Sequence, residues 1–324
     1  MSIPNLQTID AAAKLLDGAV IQTPILPLAS ARWDGILPDC ASVTVKLELF
    51  QQAGSFKARG VLLGVKALSD VQRRAGVVAA RGGNHALAVS WAAGAAGVQA
   101  QITMPHHVDP ERIAACRALG ADVTLHDDMA AAFGEMERLA DAGATMIHPF
   151  ESPHMILGAA TMGAEYLAQV PDLDVLVVPI GGGGMIAGMA AAAKLINPAI
   201  KVIGVEPVGG DSMTRSFAAG QPVTLDAVTT LADSLGAPKA LPLSFGVARD
   251  NVDRIVMVPD SALLDAMEHM RRVLRIMAEP ACAASLAALI GPLRDDIAGQ
   301  NVGIIACGSN IGLPRCTDLL ARRD

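Results

Sequence analysis

Short apolar runs rich in β-branched residues recur along the chain at residues 43–47, 76–80, 100–104, 122–125, 174–180, 201–205, 254–258 and 302–306. Each is about the length of a strand buried on both faces. Between them lie Ala- and Leu-rich stretches whose apolar residues return at helical spacing, clearest at 84–95, 110–119 and 261–277. Asp109 before Pro110, and Asp260 before Ser261, supply helix-start chemistry at two of these stretches. Strand and helix alternate, which predicts an α/β fold with largely parallel sheets flanked by helices. No fixed-period repeat or long linker interrupts the pattern, so a second lobe must arise by the chain crossing over and returning. The segment 71–149 carries its own strands and helices and is expected as a small inserted α/β domain, with 1–70 and 150–324 forming the large one.

Composition narrows the partners. A chain of 324 residues with 52% hydrophobic content can bury a large core, and a net charge of −7 without a basic block argues against nucleic acid and anionic membrane. A small molecule is the expected ligand. No charged leader precedes an apolar segment and no run of about 18 apolar residues occurs, so a cytoplasmic protein is expected. Cys40, Cys116, Cys282, Cys307 and Cys316 contain no C-x-x-C pair, which points to buried thiols rather than a disulfide framework or a zinc site.

Four segments carry candidate chemistry. Lys57 stands in Gly54-Ser55-Phe56-Lys57-Ala58-Arg59-Gly60, just after the first long apolar run. A lysine amine in a poorly solvated or cationic setting becomes a nucleophile and can join an aldehyde such as pyridoxal phosphate. Gly181, Gly182, Gly183 and Gly184 follow the run at 174–180 and precede a helical stretch starting at Met185. Four glycines would each cost a helix interior about 1 kcal/mol, so they belong to a turn. That turn is either a bare strand-to-helix connection or, the reading favoured here, a cradle of backbone amides for a phosphate. It matches neither the dinucleotide nor the triphosphate fingerprint.

In Arg81-Gly82-Gly83-Asn84-His85, Asn84 suits a helix cap, the reading its local sequence favours, and could instead bond a cofactor or substrate oxygen. His85 reads as a packed histidine or a ligand contact. Cys307-Gly308-Ser309-Asn310 forms a third small-residue turn after a strand, where the thiol is either simply buried or faces a heteroaromatic nitrogen. Such turns at the carboxyl ends of parallel strands can converge on one crevice.

Ser55-Phe56-Lys57, Gly83-Asn84-His85, Gly181 to Met185 and Cys307-Gly308-Ser309-Asn310 stand in the order found in the serine/threonine dehydratase and serine racemase family. The chain resembles these fold type II pyridoxal phosphate enzymes, a two-lobed tryptophan synthase β-like architecture, from Thr23-Pro24 to the Cys307 turn. The resemblance implies that Lys57 holds pyridoxal 5′-phosphate covalently and acts as the catalytic base, and that Phe56 flanks the ring. Asn84 would meet the ring hydroxyl, Gly181 to Gly184 with Met185 would cradle the phosphate, and Cys307 would face the pyridine nitrogen. Ser55, Gly83, Asn84, His85 and Asp233 would lie at the substrate, and Glu279 would stand near the cofactor or serve structure.

The implied activity is an ammonia-lyase reaction, β-elimination of water from a threonine- or serine-type amino acid to a 2-oxo acid and ammonia. The alternatives are 3-hydroxyaspartate or phenylserine as substrate, β-replacement in the manner of cysteine synthase, racemisation, and an anion-binding module without catalysis. His85 stands where β-replacement enzymes have threonine, and Gly82 stands where racemases carry the serine that moves a proton on the face opposite the lysine. Elimination without efficient racemisation is therefore expected. A homodimer is implied by the resemblance alone, and the chain end at Asp324 predicts no regulatory domain after the Cys307 turn. Family members that bind magnesium or calcium use a glutamate, a carbonyl and an aspartate. Glu206 and the Gly210 carbonyl match, but Ser212 replaces the aspartate, which leaves either a reduced cation site or a glutamate that caps or pairs locally.

Overall fold

The computed structural model describes residues 4–323. Ten strands occur among the described residues: β1 Ile25–Pro27, β2 Ser42–Lys46, β3 Val77–Ala80, β4 Ala100–Pro105, β5 Asp122–His126, β6 Thr145–Met146, β7 Val175–Pro179, β8 Lys201–Pro207, β9 Arg254–Val258 and β10 Asn301–Ile305. The eight apolar runs of the sequence all became strands. The two strands without such a run, β1 and β6, are short and lie at sheet edges, where little apolar surface is needed.

Two sheets form, in the orders β1-β2-β10-β7-β8-β9 and β5-β4-β3-β6. Every pairing is parallel except β1 with β2. The four-stranded sheet draws all its strands from residues 77–146, and the six-stranded sheet takes strands from both sides of that segment. Each sheet has a core of its own. The larger packs β2, β7, β8 and β10 against helices such as Pro153–Gln169 and Gly184–Ile196. The smaller collects Val77, Ala79, Ile102 and Met104, and also Ala12, Leu16 and the Val61–Val65 face of the helix that begins at Lys57. The segment carrying Lys57 therefore lies between the two sheets.

The helical stretch expected over 261–277 runs only from Asp260 to His269, continues as a π-turn over Met270–Leu274, and stops at Arg275 with φ 61°. A left-handed residue ends regular helix, whatever the apolar spacing around it. Asp260 accepts from Thr230 Oγ1 at 2.6 Å and from Leu231 N at 2.9 Å, which anchors the loop leading to Asp233. No helix among the described residues is long and apolar enough to cross a membrane.

Candidate active site

Because β10 lies between β2 and β7, the chain segments leaving their carboxyl ends are neighbours. These segments bear Lys57, Cys307 and the four glycines. Backbone bonds hold the first two together: Phe56 N donates to Cys307 O at 3.2 Å, Ser309 N to Gly54 O at 3.1 Å and Leu49 N to Ala306 O at 2.8 Å. From the other sheet, β3 ends in the loop that opens the helix Asn84–Ala95. The result is one cavity of about 980 Å³ whose wall includes Phe56, Lys57, Asn84, Gly181 to Met185, Asp233 and Cys307. That lies at the upper end of the usual range for small-molecule sites, with room for a cofactor and a substrate together.

The start of the Lys57 helix is fixed by a buried ionic cluster. Arg59, 2% exposed, donates to both oxygens of Glu48, at 2.7 and 3.1 Å, and pairs with Glu165 at 3.0 Å. Lys46 completes the cluster through Glu165. A buried pair of this kind is costly to break, so the residue two positions before Arg59 has little freedom. Lys57 Nζ donates to Pro149 O at 3.0 Å and lies 5.0 Å from the centre of the Phe56 ring. Burial, helped by the Arg81 guanidinium, lowers its ammonium to about 8.

The glycine turn has no space for side chains. A Cβ on Gly182 would stand 2.2 Å from the Phe150 ring, and one on Gly181 would stand 2.8 Å from Ser234 O. Gly183 has φ +89°, a conformation that suits glycine alone. Among the described residues, the amides of Gly181, Gly182 and Gly183 donate to no other backbone carbonyl. With the start of the helix Gly184–Ile196 behind them, these free donors suit an anion.

Asn84 is the first residue of its helix and does not cap it. Its Nδ2 donates to Glu279 Oε1 at 2.6 Å and its Oδ1 accepts from Asn310 at 2.6 Å, which leaves one amide hydrogen for the cavity. His85 Nε2 lies 2.7 Å from Ile147 O, and a carbonyl can only accept, so Nε2 carries the proton and the partnerless Nδ1 is an acceptor. Burial holds this imidazole neutral, near 3. It cannot donate to a carboxylate from Nδ1, so only the backbone N–H of His85 remains for that task. The neighbouring Cys282 thiol and burial raise Cys307 well above the ordinary thiol range, so it stays protonated and donates weakly to Ala281 O at 3.7 Å.

Ser55 is fully buried with an unpartnered Oγ and does not line the cavity. Asp233 does, with its carboxylate 3.3 Å from Arg112 Nη1. Glu206 and Gly210 lie outside it. Both carboxylate oxygens of Glu206 accept from the start of the helix Ser212–Ala219, from Met213 N at 2.9 Å, Thr214 N at 2.7 Å and Thr214 Oγ1 at 2.6 Å. Burial raises this carboxyl to about 7, with these donors pulling the other way. No group of three His, Cys, Asp or Glu residues capable of holding a metal occurs among the described residues.

Residues that the sequence left unplaced also form the wall. Phe150 closes the glycine turn, Val108 covers Gly82, and Arg81 and Arg112 enter from the second sheet. Phe150, Val108 and Arg112 belong to no motif with a chemical signature and only proximity in the fold marks them, whereas Arg81 opens the segment that bears Asn84 but has no role in that reading.

A buried lysine amine with a lowered pKa, in one cavity with a glycine turn of free amides, suits a cofactor that carries both an aldehyde and an anionic group. The chain belongs to the pyridoxal-phosphate dependent enzyme family, whose pattern matches residues 16–308. It is 44% identical over 270 residues, 83% of each chain, to the phenylserine dehydratase of Ralstonia pickettii. It is 38% identical to the L-threonine ammonia-lyase of Thermotoga maritima, over 83% of this chain and 67% of that one. The fold superimposes on maize serine racemase with a TM-score of 0.91 at 33% identity, covering 99% of this chain and 98% of that one. The protein is thus a pyridoxal phosphate-dependent enzyme of the dehydratase and ammonia-lyase group with the fold type II architecture. The side-chain-free glycine turn with unpartnered amides fits the cofactor's phosphate, and the adjoining buried amine fits its aldehyde.

Proposed function

We propose that the enzyme eliminates water from a threonine- or serine-type β-hydroxy amino acid, giving a 2-oxo acid and ammonia. The observation that carries this reading is the Lys57 amine, depressed to about 8 and flanked in one cavity by the glycine turn and the neutral Cys307 thiol. When bound, pyridoxal phosphate supplies a carbonyl carbon for the amino group and a conjugated ring that takes up the electron pair released at the α carbon.

In this proposal Lys57 carries the cofactor, Gly181 to Gly184 with Met185 hold its phosphate, Phe56 flanks its ring, and the free amide hydrogen of Asn84 meets its hydroxyl. The substrate amine would displace Lys57 Nζ, which as a free amine would take the α-proton as general base and pass that proton to the departing β-hydroxyl, so that water leaves. Lys57 Nζ would then add back in place of the product amine and release the enamine, whose imine tautomer takes up water to give the 2-oxo acid and ammonia. Cys307, as a neutral thiol facing the ring nitrogen, would not protonate it the way a carboxylic acid would, which would favour prompt loss of the β-hydroxyl. Asp233, on the loop anchored by Asp260, lies at the substrate side.

A proton delivered from the face opposite Lys57 would allow racemisation, and Gly82 offers none. A Cβ there would stand 2.3 Å from Val108 Cγ2, so the position is closed as well as bare.

An aryl-substituted serine is the second reading. The wall contains Val108, Met129, Phe150, Val228 and Leu231, an apolar set able to cover a ring, and the Ralstonia relative bears the name phenylserine dehydratase. Purified holoenzyme should release ammonia and 2-oxo acid from a panel of serine, threonine, phenylserine and 3-hydroxyaspartate without an added nucleophile. Turnover that requires an added thiol would replace elimination with β-replacement, and the order of kcat/KM across the panel decides the side chain.

A further inference from the structure

Asn310, the last residue of the Cys307 turn, stands behind Asn84 rather than on the cavity wall. Its Nδ2 donates twice, to Ala53 O at 2.8 Å and to Asn84 Oδ1 at 2.6 Å. A primary amide nitrogen carries two hydrogens, so both are engaged. The Ala53 carbonyl can only accept, and this decides which way the Asn310 amide faces. With the Asn310 nitrogen held there, Asn84 turns its oxygen to Asn310 and its nitrogen toward Glu279 and the cavity. Glu279 agrees with that direction, accepting from Asn84 Nδ2 at 2.6 Å. Alone it would tolerate either face of the amide, because burial raises this carboxyl and a carboxyl that holds its proton donates as well as accepts.

The carbonyl that anchors these bonds sits on an unusual stretch of backbone. Ala53 has φ 55° and Gly54 φ 67°, two left-handed residues in succession, a conformation that residues with a side chain seldom adopt. A side chain on Gly54 would run into the Asn310 amide. Ser309 N donates to Gly54 O at 3.1 Å, and Arg112 Nε donates to the backbone O of Asn310 at 2.7 Å. Asn310 is thereby tied on one side to the segment leading into Lys57 and on the other to the helix Pro110–Ala118.

We propose that Asn310 is a positioning residue that fixes Asn84 as a hydrogen-bond donor toward the cofactor, so that the site selects the ring oxygen in its unprotonated, accepting form. The inference rests on the contact between Asn84 and the ring hydroxyl in the reading above. A donor aimed at an oxygen favours its anionic form. An amide turned the other way would present Oδ1 to the cavity, repel that anion and favour the protonated hydroxyl.

The test compares full-length wild type, Asn310→Asp and Asn310→Ala in binding two cofactors, pyridoxal 5′-phosphate and 3-deoxypyridoxal 5′-phosphate, which lacks the ring oxygen. Dissociation constants come from absorbance titration of the apoprotein, with thermal unfolding followed in parallel. An aspartate at this position has no hydrogen to donate, so Asn84 should turn its nitrogen to it and its oxygen to the cavity. Asn310→Asp should then weaken pyridoxal phosphate on the order of 10- to 100-fold, the range for a hydrogen bond to a charged group, and leave the 3-deoxy analogue unchanged. Asn310→Ala, which frees the amide to take either face, should give a smaller loss with the same selectivity. Adding Asn310→Asp to Asn84→Ala should weaken neither cofactor further, since the effect passes through Asn84. Equal weakening of both cofactors in the Asp and Ala variants would reduce Asn310 to a structural role and overturn the proposal, as would wild-type affinity for pyridoxal phosphate in Asn310→Asp. If Asn310→Asp does not fold, the selectivity of Asn310→Ala decides by the same criterion. A wild type that binds both cofactors alike would remove the contact between Asn84 and the ring oxygen, and the proposal with it, a failure of the underlying reading visible without any variant.

Discussion

Asn84 and Glu279, far apart in sequence, meet at 2.6 Å, the amide donating to the carboxyl. The other oxygen of Glu279 accepts from Ser234 at 3.0 Å. One buried carboxyl therefore orients the asparagine and holds the loop beside Asp233. Replacing Glu279 with Ala removes both acceptors inside a buried site. The expected cost is about 1–3 kcal/mol of stability, the range for a buried donor left without its partner. Denaturant unfolding measures that, and Glu279→Gln, which keeps an oxygen acceptor, should lose less. If Ala and Gln variants prove equally stable to wild type, the bond has no structural weight.

The Lys57 amine predicts a pH profile. In the folded chain it titrates near 8, and in the unfolded chain near about 10.4. Below 8 both states hold the proton. Between these values the folded state has released it and the unfolded state has not, so apoprotein stability rises with pH across that window. Only the free amine attacks an aldehyde, so the rate of cofactor attachment should climb about tenfold per unit at low pH and level off above about 8. Stopped-flow absorbance reads the rate directly. A flat profile, or attachment surviving in Lys57→Met, would contradict the assignment.

Gly82 and Val108 together explain why racemisation should be poor. Installing serine at Gly82 drives its Cβ into the Val108 methyls, an overpacking expected to cost about 1–3 kcal/mol. The single Gly82→Ser variant should be less stable and still racemise little. Adding Val108→Ala makes room, and chiral chromatography of serine incubations should then show interconversion above the wild-type level. Efficient racemisation by the wild-type protein would refute this account.

Glu206 behaves as a helix anchor. Its two oxygens already serve Met213 and Thr214, and calcium asks for six to eight oxygen ligands. Treatment with EDTA should leave both the melting temperature and the lyase rate unchanged, whereas Glu206→Ala should cost about 1–3 kcal/mol through orphaned amides. A chelator-dependent loss of activity that calcium or magnesium restores would reinstate a cation site.

Most strands were legible because a buried parallel strand must be a nearly unbroken apolar run, a local property of the chain. The edge strands β1 and β6 carried no such signal, and the helix break at Arg275 left none in the apolar spacing. Lys57, the four glycines and Cys307 could be picked out because their chemistry resides in residue type and order. Local pattern along the chain sets the alternating architecture and supplies the reactive groups. It takes the folded arrangement to put β10 between β2 and β7, to bring Glu279 to Asn84 and to seal Gly82 with Val108. Those relations join residues distant along the chain, and pairing, packing and desolvation at such sites depend on what surrounds a group in space rather than on its neighbours in sequence.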